Sequence, residues 1–335
     1  MNRLKNDILI NQQLLEELLS NRLYKELIFS TTFKRLEKIS FLGAIDYIGR
    51  NKKRFYRYEH SVSVGVLALF YAKLKKFNKK DTEILVSSAL LHDIGHAPLS
   101  HSIEGVFYKK YNINHHKNGN KIILGENSLE IKNILNKYNI NENTIVDILD
   151  KKVDNEISFI LNNPINIDTI DGINRCYLSV NYRQRYAKLG FVSTPLDIVK
   201  ALVEKDRSTL DQFWTLKDRM YNDFIHKPIN LYADIFASDF IQQQRLKEND
   251  FNSDDKKLKS SYEKLFNELS VLNKKEVFVK LKYKKRKYYF DKKSIVKPDD
   301  LRKRYINIKY EEEIDFDQQR SKYKQRSFYE FKYDR

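Results

Sequence analysis

The stretch "LLHDIGHAPLSHS", residues 90–102, sets His92, His96 and His101 around Asp93 in a chain of 335 residues with seven histidines in all. Six of the seven (His60, His92, His96, His101, His115 and His116) crowd into about one-sixth of the chain, which scattered core histidines do not do. Imidazole and carboxylate together suit Mn²⁺, Fe²⁺, Co²⁺, Ni²⁺ or Zn²⁺, and the single cysteine, Cys176, cannot build a thiolate site. Adjacent residues on a helix diverge by about 100°, so His92 and Asp93 can share an ion only by straddling it at a helix end. Gly95 and Pro98 supply that end. Further ligands must come from other helices, and His60 and Asp168 are available. Asp171 and Arg175 follow Asp168 at i+3 and i+7 on one helical face, which places a guanidinium beside a metal-bound carboxylate and could hold metal and phosphate together. Asp168 could equally be the N-cap of its helix, since Asn-Pro-Ile-Asn precedes the segment.

Helices have to position these groups. Nine glycines and five prolines are few, and the 41% hydrophobic content is ample for a core, so the chain is expected to be mainly α. Leu14, Leu15, Leu18 and Leu19 predict one amphipathic helix over residues 11–28. In "HSVSVGVLALFYAKL", Val62, Gly65, Val66, Leu69 and Phe70 predict a helix buried on one face, with His60 at its start. Asp81 is the expected N-cap of the next helix, which ends at His92–Asp93. The Asn- and Lys-rich stretch 109–128 reads as a mobile excursion. At "NDFNSDDKKLKSS" the composition shifts as in a linker, dividing a core at 1–248 from a basic C-terminal region at 249–335. There "EVFVKLKYKKRKYYFD" and "YINIKYEEEID" alternate at period two, predicting a small appended hairpin.

The net charge is +17, and residues 271–335 carry 21 Lys and Arg against 11 Asp and Glu. Such a surface attracts nucleotides or nucleic acid, though solvated lysines explain it about as well. The lone cysteine and the charge-broken N-terminus point to a cytoplasmic protein without a membrane partner.

Taken together, "RYEHS", "LLHDIGHAPLSH", "NHHKNG" and "IDTID" resemble the HD-domain phosphohydrolases, in particular the deoxynucleoside triphosphate triphosphohydrolase branch, from about residue 33 to 176 and more weakly to 245. The resemblance implies an HD-domain helical bundle. It implies that His60, His92, Asp93 and Asp168 ligate a divalent metal, Mg²⁺ included, and that Arg57 contacts phosphate. His96 and His101 would face the phosphates, with Glu104 orienting His116 to complete the catalytic network. Asp171 and Arg175 are then expected on the substrate side. It also implies a homo-oligomer, and an exposed β edge is a surface that needs a partner.

Four positions depart from the family pattern. Thr169 stands for a phosphate-contacting lysine, Gly172 for a tyrosine beside the sugar, Cys176 for an aspartate on the 3′-hydroxyl, and Phe41 for a sugar-reading glutamine. The metal and hydrolytic parts survive while the sugar-reading parts do not, and Gly172 is expected to leave a wider pocket. The leading expectation is hydrolysis of a deoxynucleoside triphosphate to deoxynucleoside and triphosphate. The alternative is a metal-dependent nuclease or phosphodiesterase acting on single-stranded nucleic acid through the basic C-terminal region.

Overall fold

The computed structural model describes residues 4, 7, 9–49, 54–126, 128–179, 193–272, 278–291 and 301–317, with the side chains of 278–284 and 312–317 left out. Helices dominate, as expected. The predicted first helix is two, α1 (Gln12–Ser20) and α2 (Arg22–Phe29), because extended Asn21 ends the one and caps the other through its side chain on Leu23 N–H. α3 (Arg57–Lys75) is the central helix. It is buried nearly all round rather than on one face, every residue from Arg57 to Leu69 included. Gly65 is where α4 (Lys79–Leu91) crosses it, since a Cβ there would lie 2.5 Å from Leu90 Cδ2. Asn78, not Asp81, caps α4, accepting from Asp81 N–H at 2.9 Å.

The stretch expected to be mobile instead contains the end of α5 (His101–Tyr111) and all of α6 (His115–Leu124), whose apolar face buries Ile122 and Ile123. α7 (Glu130–Lys137), α8 (Glu142–Leu149) and α9 (Glu156–Asn162) lead to α10 (Ile167–Ser179), which lies against α3. Then come α11 (Pro195–Glu204), α12 (Arg207–Met220), a π-helical turn at Tyr221–Ile225, and α13 (Pro228–Gln242) against α5.

The linker-like stretch does not separate two bodies. It folds as a 3₁₀ turn (Glu248–Asn252) and α14 (Asp255–Ser261), followed by α15 (Glu263–Val271). Phe251 is fully buried edge-on against Phe107 at 5.1 Å. Asp255 accepts hydrogen bonds from Ser40 N, Leu99 N and Tyr47 Oη, so the segment clamps two loops of the core. The polar letters that suggest a linker are here caps and a buried acceptor.

The expected hairpin is present as β1 (Phe278–Phe290) and β2 (Tyr305–Asp317), antiparallel from Phe278↔Asp317 to Phe290↔Tyr305. It is bolted to α12: Trp214 Nε1–H donates to Tyr289 O at 2.9 Å, Tyr288 N–H to Asp218 Oδ1 at 2.9 Å, and Arg304 pairs with Asp211 at 2.5 Å. Opposed residues share a face, so Arg286 and Tyr288 turn inward with Asn307, while Lys287 and Tyr289 face solvent with Ile308. Among the described residues no helix is long and apolar enough to cross a membrane.

Candidate metal centre and catalytic cavity

α4 ends at His92, and its last carbonyls lack helical partners. His92 Nδ1–H donates to one of them, Ala89 O, at 2.8 Å. His60, in the first turn of α3, donates Nδ1–H to Asp171 Oδ2 at 2.6 Å. Each ring therefore turns Nε2 to the same point, and the two Nε2 atoms stand 3.2 Å apart, close enough to hold either a single proton or a metal ion between them. Asp168 Oδ1 is 3.1 Å from His60 Nε2 and 3.8 Å from His92 Nε2, and Asp93 Oδ2 is 3.5 Å from both. The donor atoms of His60, His92 and Asp93 lie within 4.8 Å of one another, a group that could hold one divalent ion, and Asp168 Oδ1 stands beside them as the candidate fourth donor of an N₂O₂ set. Asn166 Oδ1 caps α10 on Thr169 N–H at 2.8 Å, which releases Asp168 from that role. Burial disfavours the Asp93 carboxylate, but His92, Arg57 and His96 outweigh it and hold its pKa well below the usual range. Asp168, whose side chain is about half exposed, is held well below the usual carboxylate range by the His60 and His92 rings beside it.

Asp171 and Arg175 do not face substrate. Both are fully buried behind His60: Asp171 also accepts from Ser63 Oγ at 2.5 Å and from Arg175 Nε at 2.5 Å, while Arg175 reaches Asp7 Oδ2 at 2.8 Å and Glu59 O at 2.9 Å. The i+3 and i+7 spacing is real, but the face it defines points to α3, where a carboxylate behind a metal-ligating histidine fixes its tautomer. Arg57 is tied to Asp93 Oδ2 at 2.6 Å, Ser100 Oγ at 3.0 Å and Phe41 O at 3.1 Å, and still lines the cavity. Leu99 and Ser100 take φ of 54° and 47°, uncommon for residues with a Cβ, and the bonds from Leu99 N–H to Asp255 and from Ser100 Oγ to Ser40 O hold them there.

The second cluster is His96, His101, Glu104 and His115, whose donor atoms lie within 4.8 Å of one another. Glu104 pairs with His115, not His116: its Oε2 accepts from His115 Nδ1 at 2.5 Å and from His115 N–H at 2.9 Å. Burial opposes the Glu104 charge, but the hydrogen bonds from His115 and the His101 ring 3.8 Å away outweigh it and keep Glu104 ionised. His116 lies outside this pair, its ring 3.9 Å from that of His115, and burial and His115 lower its pKa. In a His-His doublet either ring fits the spacing, so only the start of α6 could decide between them. His96 is fully buried and stacked on His115 at 4.2 Å. It stands 3.1 Å from Asp93 Oδ1, but out of line, so neither ring nitrogen makes a hydrogen bond. Burial and Arg57 hold it neutral. Gly95 permits this arrangement, since a Cβ there would be 2.1 Å from His115 O and 2.3 Å from Gly119 N.

A cavity of about 390 Å³ opens beside the metal donors, lined by Arg57, His101 and Asp168 from the histidine side and by Lys217, Arg286 and Tyr288 from α12 and the hairpin. That size is in the range of small-molecule sites, roughly 300–1,000 Å³. The lining of the far wall escapes sequence reasoning, for Lys217 and Arg286 look like two more surface cations among many. The period-two alternation of β1 was the available signal for Arg286. Asp234 is a further lining residue, accepting from Ser102 Oγ at 2.5 Å, and burial pushes its carboxyl up to about 7. Gly172 lies on the cavity wall, where Phe41 is its one close neighbour. A Cβ there would be in ordinary contact with Phe41 Cζ at 3.4 Å, the Phe41 ring leans on His60 at 4.8 Å, and both residues line the cavity, so Phe41 bounds the space beside Gly172. Cys176 is buried, with its thiol pushed up to about 12.

Comparison with known proteins agrees with this geometry. Residues 57–155 match the HD domain family. The chain is 23% identical over 235 residues to an uncharacterised Bacillus subtilis protein, YwfO, covering 67% of this chain and 53% of that one. It thus spans about half the length of that relative. Over 89 residues it is 34% identical to the deoxynucleoside triphosphate triphosphohydrolase SAMHD1 of Danio rerio, covering 23% of this chain and 14% of that protein. Among solved structures, a hypothetical protein of Aquifex aeolicus superposes with a TM-score of 0.62 at 17% identity, covering 88% of this chain and 93% of the other. A phosphohydrolase of Bacteroides thetaiotaomicron superposes with a TM-score of 0.56 at 15% identity, covering 78% and 74%. These likenesses establish the fold, with an HD domain at its centre.

Proposed function

We propose that the protein is a metal-dependent phosphohydrolase acting on nucleotides, and that its reaction is the hydrolysis of a deoxynucleoside triphosphate to deoxynucleoside and triphosphate. The observation that carries this reading is the juxtaposition of the N₂O₂ donor set, the half-enclosed cavity and the His101–Glu104–His115 cluster on one wall. A divalent ion bound by His60, His92, Asp93 and Asp168 supplies Lewis-acid polarisation of a phosphoryl oxygen. The chain does the rest. Arg57 holds Asp93 in place and adds positive charge where the α-phosphoryl group would sit. As water adds to the α-phosphorus and the bond to the 5′-oxygen breaks, that oxygen needs a proton. His101, at the cavity wall and 3.8 Å from Glu104, is the group in reach; burial lowers its pKa, the ionised Glu104 opposes that fall, and the charge of a bound polyphosphate would favour its protonated form. His115, locked by Glu104, orients the pair.

The test is anion-exchange analysis of products from the purified protein with each deoxynucleoside and ribonucleoside triphosphate under Mg²⁺, Mn²⁺ and Co²⁺. Release of intact triphosphate is expected. Stepwise loss of single phosphates, or no turnover with any metal, refutes the reading. The nuclease alternative draws on the solvent face of the hairpin, where Lys287, Tyr289 and Tyr310 interleave charge with aromatic rings as single-strand binders do. It requires steep salt dependence, which a mononucleotide substrate does not show.

A further inference from the structure

We propose that Lys217 and Arg286 form an anion subsite for the distal phosphates of a nucleoside polyphosphate, which makes the C-terminal hairpin part of the substrate site. The proposal rests on the nucleotide reading of the cavity. Lys217 is only 8% exposed, and its ammonium is 4.5 Å from the Trp214 ring and 4.6 Å from the Tyr288 ring. Among the described residues no carboxylate pairs with it. The attraction it feels is the longer-range one of Asp168, which lines the same cavity. Burial pushes its pKa down to about 7, which marks an ammonium short of negative charge. A buried cation without a counter-charge costs several kcal/mol, and a bound anion removes that cost. Arg286 is the next cation along the wall. Burial disfavours its charge, but the neighbouring Tyr221 and Tyr288 outweigh it and raise its pKa. The two repel each other when the cavity holds no anion, as groups gathered for a shared multivalent anion do. Thr169, which lines the same cavity, carries no charge, so the cavity's cations are Arg57 on one wall and Lys217 and Arg286 on the other.

The experiment is calorimetric titration of the full-length, Mn²⁺-loaded protein with inorganic triphosphate. Lys217→Met keeps the stem between its two rings, Arg286→Ala trims the hairpin, and Lys287→Ala on the solvent face serves as control. Lys217→Met and Arg286→Ala should each weaken triphosphate binding at least tenfold with metal content and helical circular dichroism unchanged, and Lys287→Ala should leave it as in the wild type. Wild-type affinity in both inner variants, or equal weakening by Lys287→Ala, overturns the subsite. So does equal competition by a single-stranded oligonucleotide without terminal phosphates. The two readings fail separately. Triphosphate bound through Lys217 and Arg286 with no nucleotide hydrolysed sinks the activity but keeps the subsite. Nucleotide hydrolysis with unchanged KM in both inner variants sinks the subsite but keeps the activity.

Discussion

Replacing Asp171 with Asn separates a carboxylate that supports the metal from one that touches substrate. The wild-type carboxylate accepts from His60 Nδ1 at 2.6 Å, Ser63 Oγ at 2.5 Å and Arg175 Nε at 2.5 Å, all fully or nearly fully buried. His60 Nδ1 and Arg175 Nε share Oδ2, so an amide oxygen there still accepts from both, but it is a neutral and weaker acceptor. The NH₂ in place of Oδ1 faces Ser63 Oγ and Arg175 Nη2, so the charge-assisted hold on the imidazole is lost. A hydrogen bond to a charged group is worth about 1.5–3 kcal/mol. If that loss falls on the orientation of His60 Nε2, metal affinity drops by about ten- to a hundredfold, the range found when a carboxylate behind a metal-bound histidine is removed. Arg175 remains tied to Asp7 and the Glu59 carbonyl, so the helical fold should survive. Competition with a chromophoric chelator measures the affinity, and KM for nucleotide at saturating metal is the second readout. Unchanged metal affinity with a raised KM would refute the argument and restore Asp171 to the substrate side.

His115→Ala should lower turnover by about 10²-fold with metal content unchanged, and His116→Ala should do far less, because Glu104 grips the former; equal effects would show that the cluster carries no catalytic role. In the metal-free site, burial would lower the pKa of His92, but Asp93 and Asp168 outweigh it and raise it to about 9. Below that pH metal must displace one proton from Nε2, so affinity should rise about tenfold per pH unit from 6 towards 9 and then level off. Calorimetry in buffers of different ionisation enthalpy counts the proton, and a count of zero sinks the assignment. Gly95→Ala drives a Cβ into the backbone of His115 and Gly119, so it should cost about 2–3 kcal/mol by thermal melting and impair turnover more than metal binding; wild-type melting and rate would mean that α6 yields freely.

Residue type and spacing drew attention to the histidine cluster and offered His60 and Asp168 as partners for His92 and Asp93, while the four-ligand set itself came from the family resemblance. Period also gave the helical class and the hairpin, since 3.6 and 2 are local properties of the chain. Direction was not local. Asp171 and Arg175 share the face of Asp168, yet that face meets α3 some 110 residues away, and packing turned them from substrate to support. His115 and His116 are indistinguishable as neighbours, and the choice between them was made by how closely Gly95 lets α6 approach. The polar run at 249–261 and the cations Lys217 and Arg286 carry no local mark of burial. A lysine is solvated or enclosed according to what lies over it, and here that is a hairpin 70 residues further along, held by Trp214, Asp218 and Asp211. Long-range packing alone brings such groups together, so the sequence could state the reaction centre while only the tertiary structure could build the wall that faces it.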